Sequence, residues 1–470
     1  MRIWPLILGT TLLAGCAHFQ PQPLAPDRSA AQLEARRLDD AGLKAFISTN
    51  ATPAPEMWPP EKWDLNTLTL AAFYFHPSLE VARAEWQVAQ AGVKTAGARP
   101  NPSVSVTPGY DSQIPGNYSP WLVPVTFDIP IETAGKRGKR IAEAEKAAES
   151  ARWNFVSAVW QIRSGVRSAL LDFRTATRRA ELLQQQFDAQ QQMVRLLQGS
   201  FDAGESSRPE LTTAQIALNN VQLDLSDARA KKADAHSRLA EALGLGEAAL
   251  DGVELNFRLP PSDLEMLTSA EARRVALRSR ADILAALADY AAAEADLSLQ
   301  VAKQYPDLHL GPGYAWNNGN AGDNQWSLGF TLELPILDQN QGPIAEAEAQ
   351  RKLAAAKFVE LQSKVIGEID RAVAGWQSAQ AQMKTAGELH QAAERQRKSV
   401  AAQVKAGAAS KLDVAASEIE FTSTQLAQLD SEAQAQAALG TLEDAVQSPA
   451  DDLAAVIQKI SAENFSHSSK

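Results

Sequence analysis

Apolar residues recur along this chain with two different periods, and the two periods alternate. From Phe155 to Phe201 the positions of the stripe step by four and three residues in turn, and only Gln190 among them is polar. A sustained seven-residue repeat is typical of a left-handed coiled coil, so it predicts one long helix over residues 138–203. A looser stripe from Phe358 to Val404 predicts a second long helix.

Short turns are predicted where the two stripes end. Glycine readily adopts the left-handed conformation that stops a helix, and an Ala-Gly pair follows each stripe. The turn residues are Ala203, Gly204, Ala406 and Gly407. Four shorter helices are predicted around the long ones, at residues 64–99, 207–243, 264–303 and 410–447. Two short helices, stacked end to end, would match the length of each long helix.

Between the helices the period falls to two, which predicts four strands. They lie at about residues 103–110, 120–131, 306–316 and 326–336. One face of each strand is apolar, and the other carries polar residues that include Thr126, Asp128, His309, Thr331 and Glu333. Strands of about ten residues with this pattern suit a membrane β-barrel whose lumen is polar. A soluble sheet with one buried face fits the pattern equally well.

The chain contains one domain-sized unit twice. Residues 76–110 align with residues 280–314 without a gap, and the sequence IAEAE occurs in both halves. We therefore predict a mainly α-helical fold with a small β part, built from two copies of one helix–hairpin–helix unit. The expected divisions are a first repeat at 63–250, a linker at 251–263, a second repeat at 264–447 and a tail at 448–470.

The N-terminus has the features of a bacterial lipoprotein signal. Residues 1–15 combine Arg2 with a short apolar segment, and Cys16 follows the sequence Leu-Ala-Gly. Cleavage there would leave Cys16 as a lipid-bearing first residue. Ala17 stands where an inner-membrane retention aspartate would follow, so the resemblance to lipoproteins implies the outer membrane. An ordinary signal peptide with an accidental cysteine is the alternative. Residues 16–62 are Pro-rich and are predicted to form an extended, lipid-anchored strap.

Composition narrows the class of protein further. The formal net charge is -11, so the chain lacks the basic excess that favours nucleic acid as a partner. The single cysteine permits no disulfide within the chain. Past residue 15 no apolar run approaches the roughly 20 residues that a spanning helix needs.

The sequence holds few candidates for bond chemistry. Its six histidines show no pairing at helical spacing, its five methionines do not cluster, and no nucleotide motif or nucleophile–base pair is found. We expect no enzymatic activity, no cofactor and no high-affinity metal site within one chain. A channel would agree with this, because it should bind its cargo weakly.

Four strands in each chain predict an oligomer. They are too few to close a barrel, and open sheet edges are not tolerated in lipid. Two chains would supply eight strands and three chains twelve. Because an eight-stranded interior is filled by side chains whereas larger barrels hold water, a conduit favours three chains.

At residues 62–447 the chain resembles the TolC-like outer membrane factor family. The resemblance rests on the duplicated unit, the two Ala-Gly turns, the paired strands and the lipoprotein start. Two stretches, RPNPSV at 99–104 and DIPIETAGKRGKRI at 128–141, resemble the heavy-metal efflux branch of CzcC/CusC-like subunits. The family implies a trimer with a 12-stranded barrel in the outer membrane and an α-helical tunnel in the periplasm. It also implies docking on a periplasmic adaptor and on an inner-membrane resistance-nodulation-division pump.

Export of heavy-metal cations is the favoured function within this family. Multidrug efflux and type I secretion are the alternatives, and a structural coiled-coil lipoprotein is the alternative from another class.

The resemblance also implies a gate near the two turns, which would be the periplasmic tips. Asp413 matches a family position where carboxylates ring the closed aperture, and Glu210 is its counterpart in the first copy. The family's second aspartate is replaced by Ala416, and its Tyr–Arg lock is replaced by Val404 and Ala409. Alternatively, Asp413 is a solvated acid that stabilises a helix N-terminus.

A basic cluster begins the first long helix and comprises Lys136, Arg137, Lys139 and Arg140. Cations are unfavourable at a helix N-terminus, so this cluster requires an explanation. Contact with anionic lipid headgroups at the membrane rim is one, and simple solvation is the other.

Overall fold

The computed structural model describes residues 19–51, 55–110, 112–113, 120–256, 268–317 and 325–447. Ten α-helices occur in these ranges: α1 Pro26–Glu34, α2 Ala41–Asn50, α3 Leu65–Phe75, α4 Pro77–Ala96, α5 Lys136–Asp202, α6 Arg208–Leu243, α7 Ser269–Ser279, α8 Ala281–Ala302, α9 Gln341–Lys405 and α10 Lys411–Val446. Five strands accompany them: β1 Ser103–Val106, β2 Gly109–Tyr110, β3 Trp121–Ile131, β4 Leu308–Asn317 and β5 Gln325–Leu332. The mainly helical fold and both long helices are confirmed.

Helix α5 has 67 residues and α9 has 65, so each is about 100 Å long at 1.5 Å per residue. The heptad stripe of α5 is most deeply buried at its sheet-proximal half, where Val159 and Val166 are fully enclosed. Towards the turn the stripe is half-buried within a single chain, apart from Leu183 and Gln190.

The long helices and the helices beside them form a wall, and α3 and α7 pack against it. In the half near the strands, α5 packs against α4 on one side and α8 on the other, and α8 packs against α9. In the far half, α5 packs against α6 and α10, and α10 packs against α9. The wall therefore has two open edges, one formed by α4 and α6 and the other by α9.

Both Ala-Gly turns lie at the same end of this wall. Helix α5 runs away from the sheet and α10 runs back towards it, because Arg163 of α5 pairs with Glu443 and Arg179 pairs with Asp430. Following this antiparallel register, the last turn of α5 lies level with the first turn of α10. The two tips are thus at one end, and the strands are at the other.

The helices predicted at 64–99 and 264–303 are each broken once, and the single-helix prediction is wrong for both. The breaks fall at His76 and Arg280, where α6 and α10 end. Gly244 closes α6 with a φ of +70°, so close to the His76 backbone that a β-carbon there would lie 2.8 Å from its Cα. Arg280 donates a 2.8 Å hydrogen bond to the Ala445 carbonyl near the end of α10. The breaks thus follow from tertiary contacts.

The N-terminal segment differs from the extended strap that was predicted. It contains α1 and α2, and Leu43 and Ile47 on one face of α2 are fully buried in the same core as Leu68 and Trp63. Asp40 starts α2 by accepting a hydrogen bond from the Leu43 N–H. The prolines on either side obscured this short apolar pattern. Residues 1–18, including Cys16, and the tail at 448–470 lie outside the described residues.

All five strands form one antiparallel sheet in the order β1-β3-β4-β5, with β2 also paired to β3. The strand predicted at 103–110 is divided into β1 and β2. The strand predicted to reach residue 336 stops at Leu332, since the chain turns there and the Ile336 N–H bonds to the Leu334 carbonyl. Glu333 therefore lies just beyond the strand, not within it.

Among the described helices, none has the combination of length and apolar character needed to cross a membrane.

Candidate functional site

The sheet separates apolar and polar residues onto opposite faces. Residues paired across neighbouring strands share a face, and on one face every such pair is apolar, as in Val104 with Phe127 and Tyr314 with Trp326. These side chains are largely exposed in the single chain, with Trp326 at 82% and Phe330 at 66%. A soluble sheet would bury its apolar face against the protein, so this exposed face requires an apolar environment outside the chain.

The opposite face is polar or small, with Leu122 as the exception. Ser103 pairs with Asp128, Thr126 with Gly313, and His309 with Thr331. The structure therefore brings four of the five predicted lumen residues onto one face: Thr126, Asp128, His309 and Thr331. Glu333, the fifth, follows the end of β5.

A direct contact between two strands joins two of these residues. The Asp128 carboxylate lies 2.9 Å from Nδ1 of His309, on the diagonal between β3 and β4. Both side chains remain accessible, at 51% and 39% of their surface. Sequence alone placed both residues on the polar face but gave no strand register, so it did not predict the contact.

The two tips have the same construction. Gly204 and Gly407 adopt φ values of +79° and +75°, and the residues after them bond back to carbonyls in the last turn of each long helix. Ser207 and Ser410 then cap the returning helices α6 and α10. The predicted turns at Ala203-Gly204 and Ala406-Gly407 are present as expected.

Asp413 and Glu210 occupy equivalent positions at these tips. Each carboxylate accepts a hydrogen bond from the backbone N–H of its capping serine, at 2.7 Å for Asp413 and 2.9 Å for Glu210. The backbone and hydroxyl hydrogen bonds from Ser410 hold the pKa of the Asp413 carboxyl below its usual range. Asp413 is exposed to solvent, and these hydrogen bonds favour its charged form. Its role in the helix cap is present in the structure, and a role in gating stays a prediction.

A different clamp lies above the second tip. Arg397 of α9 pairs with Glu418 of α10 at 3.2 Å and stacks over the ring of Phe421 at 3.9 Å. This contact joins the two helices of the second hairpin, about two turns before Val404 on α9. Sequence reasoning did not identify it.

The basic cluster makes contacts within the protein. Lys136 is buried and bonds to Asp307 at 2.8 Å, while Arg137 bonds to the Gly97 carbonyl at 2.7 Å after the end of α4. Lys139 donates to Ser298, and Arg140 bonds to Glu132 and to the carbonyls of residues 96 and 98. These contacts give each member of the cluster a partner within the chain, and simple solvation does not describe the buried Lys136. Contact of the cluster with lipid headgroups stays a prediction. The cations offset the exposed carbonyls where α4 ends.

A buried charge network joins the two copies, and sequence reasoning missed it. Arg163 is fully enclosed and pairs with Glu443 at 3.1 Å, which also bonds to Arg167 at 2.5 Å. Arg167 further bonds to Asp444 at 2.6 Å. Arg163 and Arg167 lie beside the apolar stripe, each directly after one of its positions, and their partners lie far away in the sequence, so no local pattern marked the network.

Beside this network is a groove of about 880 Å³, lined by residues of α5, α9 and α10 that include Trp160, Arg371 and Asp444. Arg280 at its wall is already paired with Asp282 and Glu368. The described part of the chain contains no group of three or more His, Cys, Asp or Glu side chains arranged to hold a metal ion.

Comparison with known proteins gives one family and several relatives. The family model described as "Outer membrane efflux protein" matches residues 74–245 and 272–446. The chain is 26% identical over 282 residues to the cobalt-zinc-cadmium resistance protein CzcC of Cupriavidus metallidurans, covering 60% of this chain and 65% of that protein. It is 25% identical over 246 residues to nodulation protein T of Rhizobium leguminosarum bv. trifolii, covering 50% and 51%. The chain thus spans less than two thirds of the length of either relative.

Solved structures share the fold over most of their length. The outer membrane protein VceC from Vibrio cholerae superposes with a TM-score of 0.66 at 21% identity, covering 82% of this chain and 97% of that one. CusC superposes with a TM-score of 0.65 at 18% identity, covering 81% and 91%. At these identities the likeness supports the arrangement of wall and sheet.

Proposed function

This chain belongs to the outer membrane efflux protein family, and from that premise we propose that it is the outer-membrane channel subunit of a tripartite efflux system. The observation that supports this most is the sheet, which has one fully apolar, exposed face and one polar face. It continues into a helical wall about 100 Å long. Members of the family are channels, and the activity proposed is passage without bond chemistry.

The open edges of the chain support assembly with other copies. The sheet ends at β1 and β5, and the wall ends at α4 and α6 on one side and at α9 on the other. Three copies would supply a barrel wide enough to hold water and would join the wall edges into a tunnel. The two repeats of each chain then act as parts of one continuous wall, with the tips facing an adaptor protein and an inner-membrane pump.

We propose heavy-metal cations as the cargo. The similarity to CzcC, a cobalt-zinc-cadmium resistance protein, supports this, as does the structural likeness to CusC. Nodulation protein T shows that other relatives carry names unrelated to metal resistance. Small-molecule export and type I secretion are therefore the competing functions.

The deciding experiment is deletion of the gene followed by growth tests. Sensitivity to cobalt, zinc, cadmium, nickel, copper or silver, restored by the wild-type gene, is the expected result. A panel of antibiotics and detergents serves as the comparison. Sensitivity to those compounds alone would overturn metal export while leaving the channel role intact, and loss of a secreted protein alone would favour type I secretion.

We also propose that Cys16 carries the lipid that anchors the N-terminal segment to the outer membrane. The lipoprotein signal supports this, and several acyl chains anchor a protein firmly because each buried methylene contributes about 0.8 kcal/mol. Growth with a labelled fatty acid should label the wild-type protein and leave Cys16→Ser unlabelled. Equal labelling of both proteins would contradict the anchor.

At the tips, we propose that Asp413 and Glu210 form a ring of negative charge in the oligomer. The support is their equivalent position after each turn and the low pKa that keeps Asp413 charged. Three copies of a carboxylate around a narrow axis favour cations over anions.

A further inference from the structure

We propose that His309, oriented by Asp128, is a transient coordination point for a divalent transition-metal cation on the polar face of the sheet. The proposal rests on the proposed function, because only a barrel with this face inwards brings passing cations to His309. His309 would contact the exported cation directly, which the channel role by itself does not require.

The contact with Asp128 determines which nitrogen of His309 is available. A carboxylate can only accept hydrogen bonds, so Nδ1 of the neutral imidazole must carry the proton that points at Asp128, 2.9 Å away. Nε2 then holds the free lone pair. A carboxylate that accepts from one ring nitrogen also fixes the ring and increases the basicity of the other, which is the usual support for a histidine that binds a metal.

The surroundings of the pair leave space for a hydrated cation. Gly311 is two residues from His309 on β4, and it pairs with Gly329 of β5, so no side chain rises beside the imidazole on that side. Thr331, directly across from His309, places a small polar side chain there. The nearby Asp307 carboxylate is engaged through Oδ1, which accepts hydrogen bonds from Lys136 and from the Thr133 N–H, each at 2.8 Å.

The chemistry of the pair selects the class of cation and limits its affinity. Imidazole nitrogen suits zinc, copper, nickel and cobalt, whereas magnesium and calcium prefer carboxylates and water. One nitrogen per chain, with water completing the shell, gives weak binding. Weak binding is what a conduit requires, because an ion must leave its site as readily as it enters.

The first test measures ligation directly and does not depend on channel activity. Full-length purified protein is titrated with Cu²⁺, and electron paramagnetic resonance is used to follow nitrogen coupling to the metal. Wild type should show a nitrogen-coupled copper signal that falls by the share of one site in His309→Gln and is unchanged in the control His390→Gln, whose residue lies on α9 beside Phe421. Asp128→Asn should weaken binding by roughly tenfold, the effect typical of losing such a support.

Identical titrations for wild type and His309→Gln would overturn the proposal, whatever the protein exports. If Asp128→Asn binds copper as tightly as wild type, the orienting role of the carboxylate is wrong. Circular dichroism and oligomer mass confirm that each variant is folded before comparison.

The second test uses channels in planar bilayers. Zn²⁺ should interrupt the current of wild type, and His309→Gln should need at least about tenfold more Zn²⁺ for the same relative block. Mg²⁺ at the same concentration should have no comparable effect. Channels that conduct but show equal Zn²⁺ block in both proteins would overturn the inference and preserve the proposed function. Absence of conductance would instead contradict the proposed function.

Discussion

At the scale of single residues, the role of a charged side chain depends on the hydrogen bonds and ion pairs that it forms with its neighbours. Asp413 serves its own helix through Ser410 and still faces solvent, whereas Arg163 and Glu443 are enclosed together. The Ala-Gly turn and the family resemblance predicted where Asp413 lies, but no sequence pattern could pair Arg163 with a residue 280 positions away. Such a pair is buried because two helices that are distant in sequence pack together, and a local sequence pattern does not predict that packing.

Asp413→Asn should lower the preference of the channel for cations over anions. Asparagine keeps a hydrogen-bond acceptor for the cap at Ser410 but removes the charge, so the tip should remain folded. Because hydrogen bonds depress the pKa of Asp413 in the folded protein, its charge persists above its ordinary value of 3.8 and is lost only as pH falls through the depressed value. Reversal potentials in a salt gradient should therefore be insensitive to this residue's titration between about pH 5 and 8.

Glu210→Gln is the matched variant for that experiment, since it removes the equivalent charge from the first copy. Unchanged reversal potentials in both variants would contradict a ring of charge at the tips.

Glu443→Gln should destabilise the protein strongly. The change leaves Arg163 buried without its counter-charge, and breaking such a pair lowers the free energy of unfolding by about 3–5 kcal/mol. Arg178→Ala is the control, because Arg178 and Glu181 form an exposed pair that contributes about 0–1 kcal/mol. Denaturant unfolding followed by circular dichroism measures the free energy of unfolding of both variants. Equal decreases in the two would contradict the idea that burial makes the Arg163–Glu443 pair important for stability.

At the scale of elements, the sequence predicted those parts that local chemistry determines. The heptad stripe predicted both long helices, and the Ala-Gly pairs predicted their ends. The breaks at His76 and Arg280 escaped prediction because the ends of other helices cause them. The prediction also made the last strand too long and included Glu333. The alternation of apolar and polar residues continues past Leu332, where pairing with β4 stops.

Gly407→Ala should destabilise the second tip. A φ of +75° forces any L-residue with a β-carbon into the left-handed region, at about 1–2 kcal/mol. Gly199→Ala near the end of α5 is a control with the opposite expected effect. Nothing lies within 4 Å of the added carbon, and alanine is more stable than glycine in a helix by about 0.5–1 kcal/mol. Amide hydrogen exchange should rise at the tip in the first variant and fall near residue 199 in the second. Equal exchange in Gly407→Ala and wild type would contradict the strain at this turn.

At the scale of the whole molecule, a single chain exposes large apolar surfaces. Large apolar side chains are exposed on the edge helices, including Val88 on α4, Leu223 on α6 and Val359 on α9. Together with the exposed sheet face they indicate where lipid and other copies would cover the chain. Sequence predicted the need for partners by counting strands, but only the packing of the helices located the edges.

Purified wild type should therefore have the mass of three chains, and charges at the wall edges should reduce it. Leu223→Lys on α6 and Val359→Lys on α9 each place a cation in the expected contact between copies. Val275→Lys on α7 is the control, because this exposed residue lies outside both edges. Light scattering of the detergent-solubilised protein measures the mass. A wild-type dimer would contradict the water-filled barrel, and unchanged mass in both edge variants would contradict the location of the contacts.

Helices α5 and α9 have nearly equal lengths, so the length of one repeat is tied to the length of the other. The sheet joins the upper ends of both helices, and their lower ends carry the two tips at one level. Removing seven residues from α5 alone would raise its tip by about 10 Å and leave a step in the rim. The reach of this protein can therefore change over generations only if both halves gain or lose the same number of heptads, so a gene duplication that doubled the wall also restricted how its length can evolve.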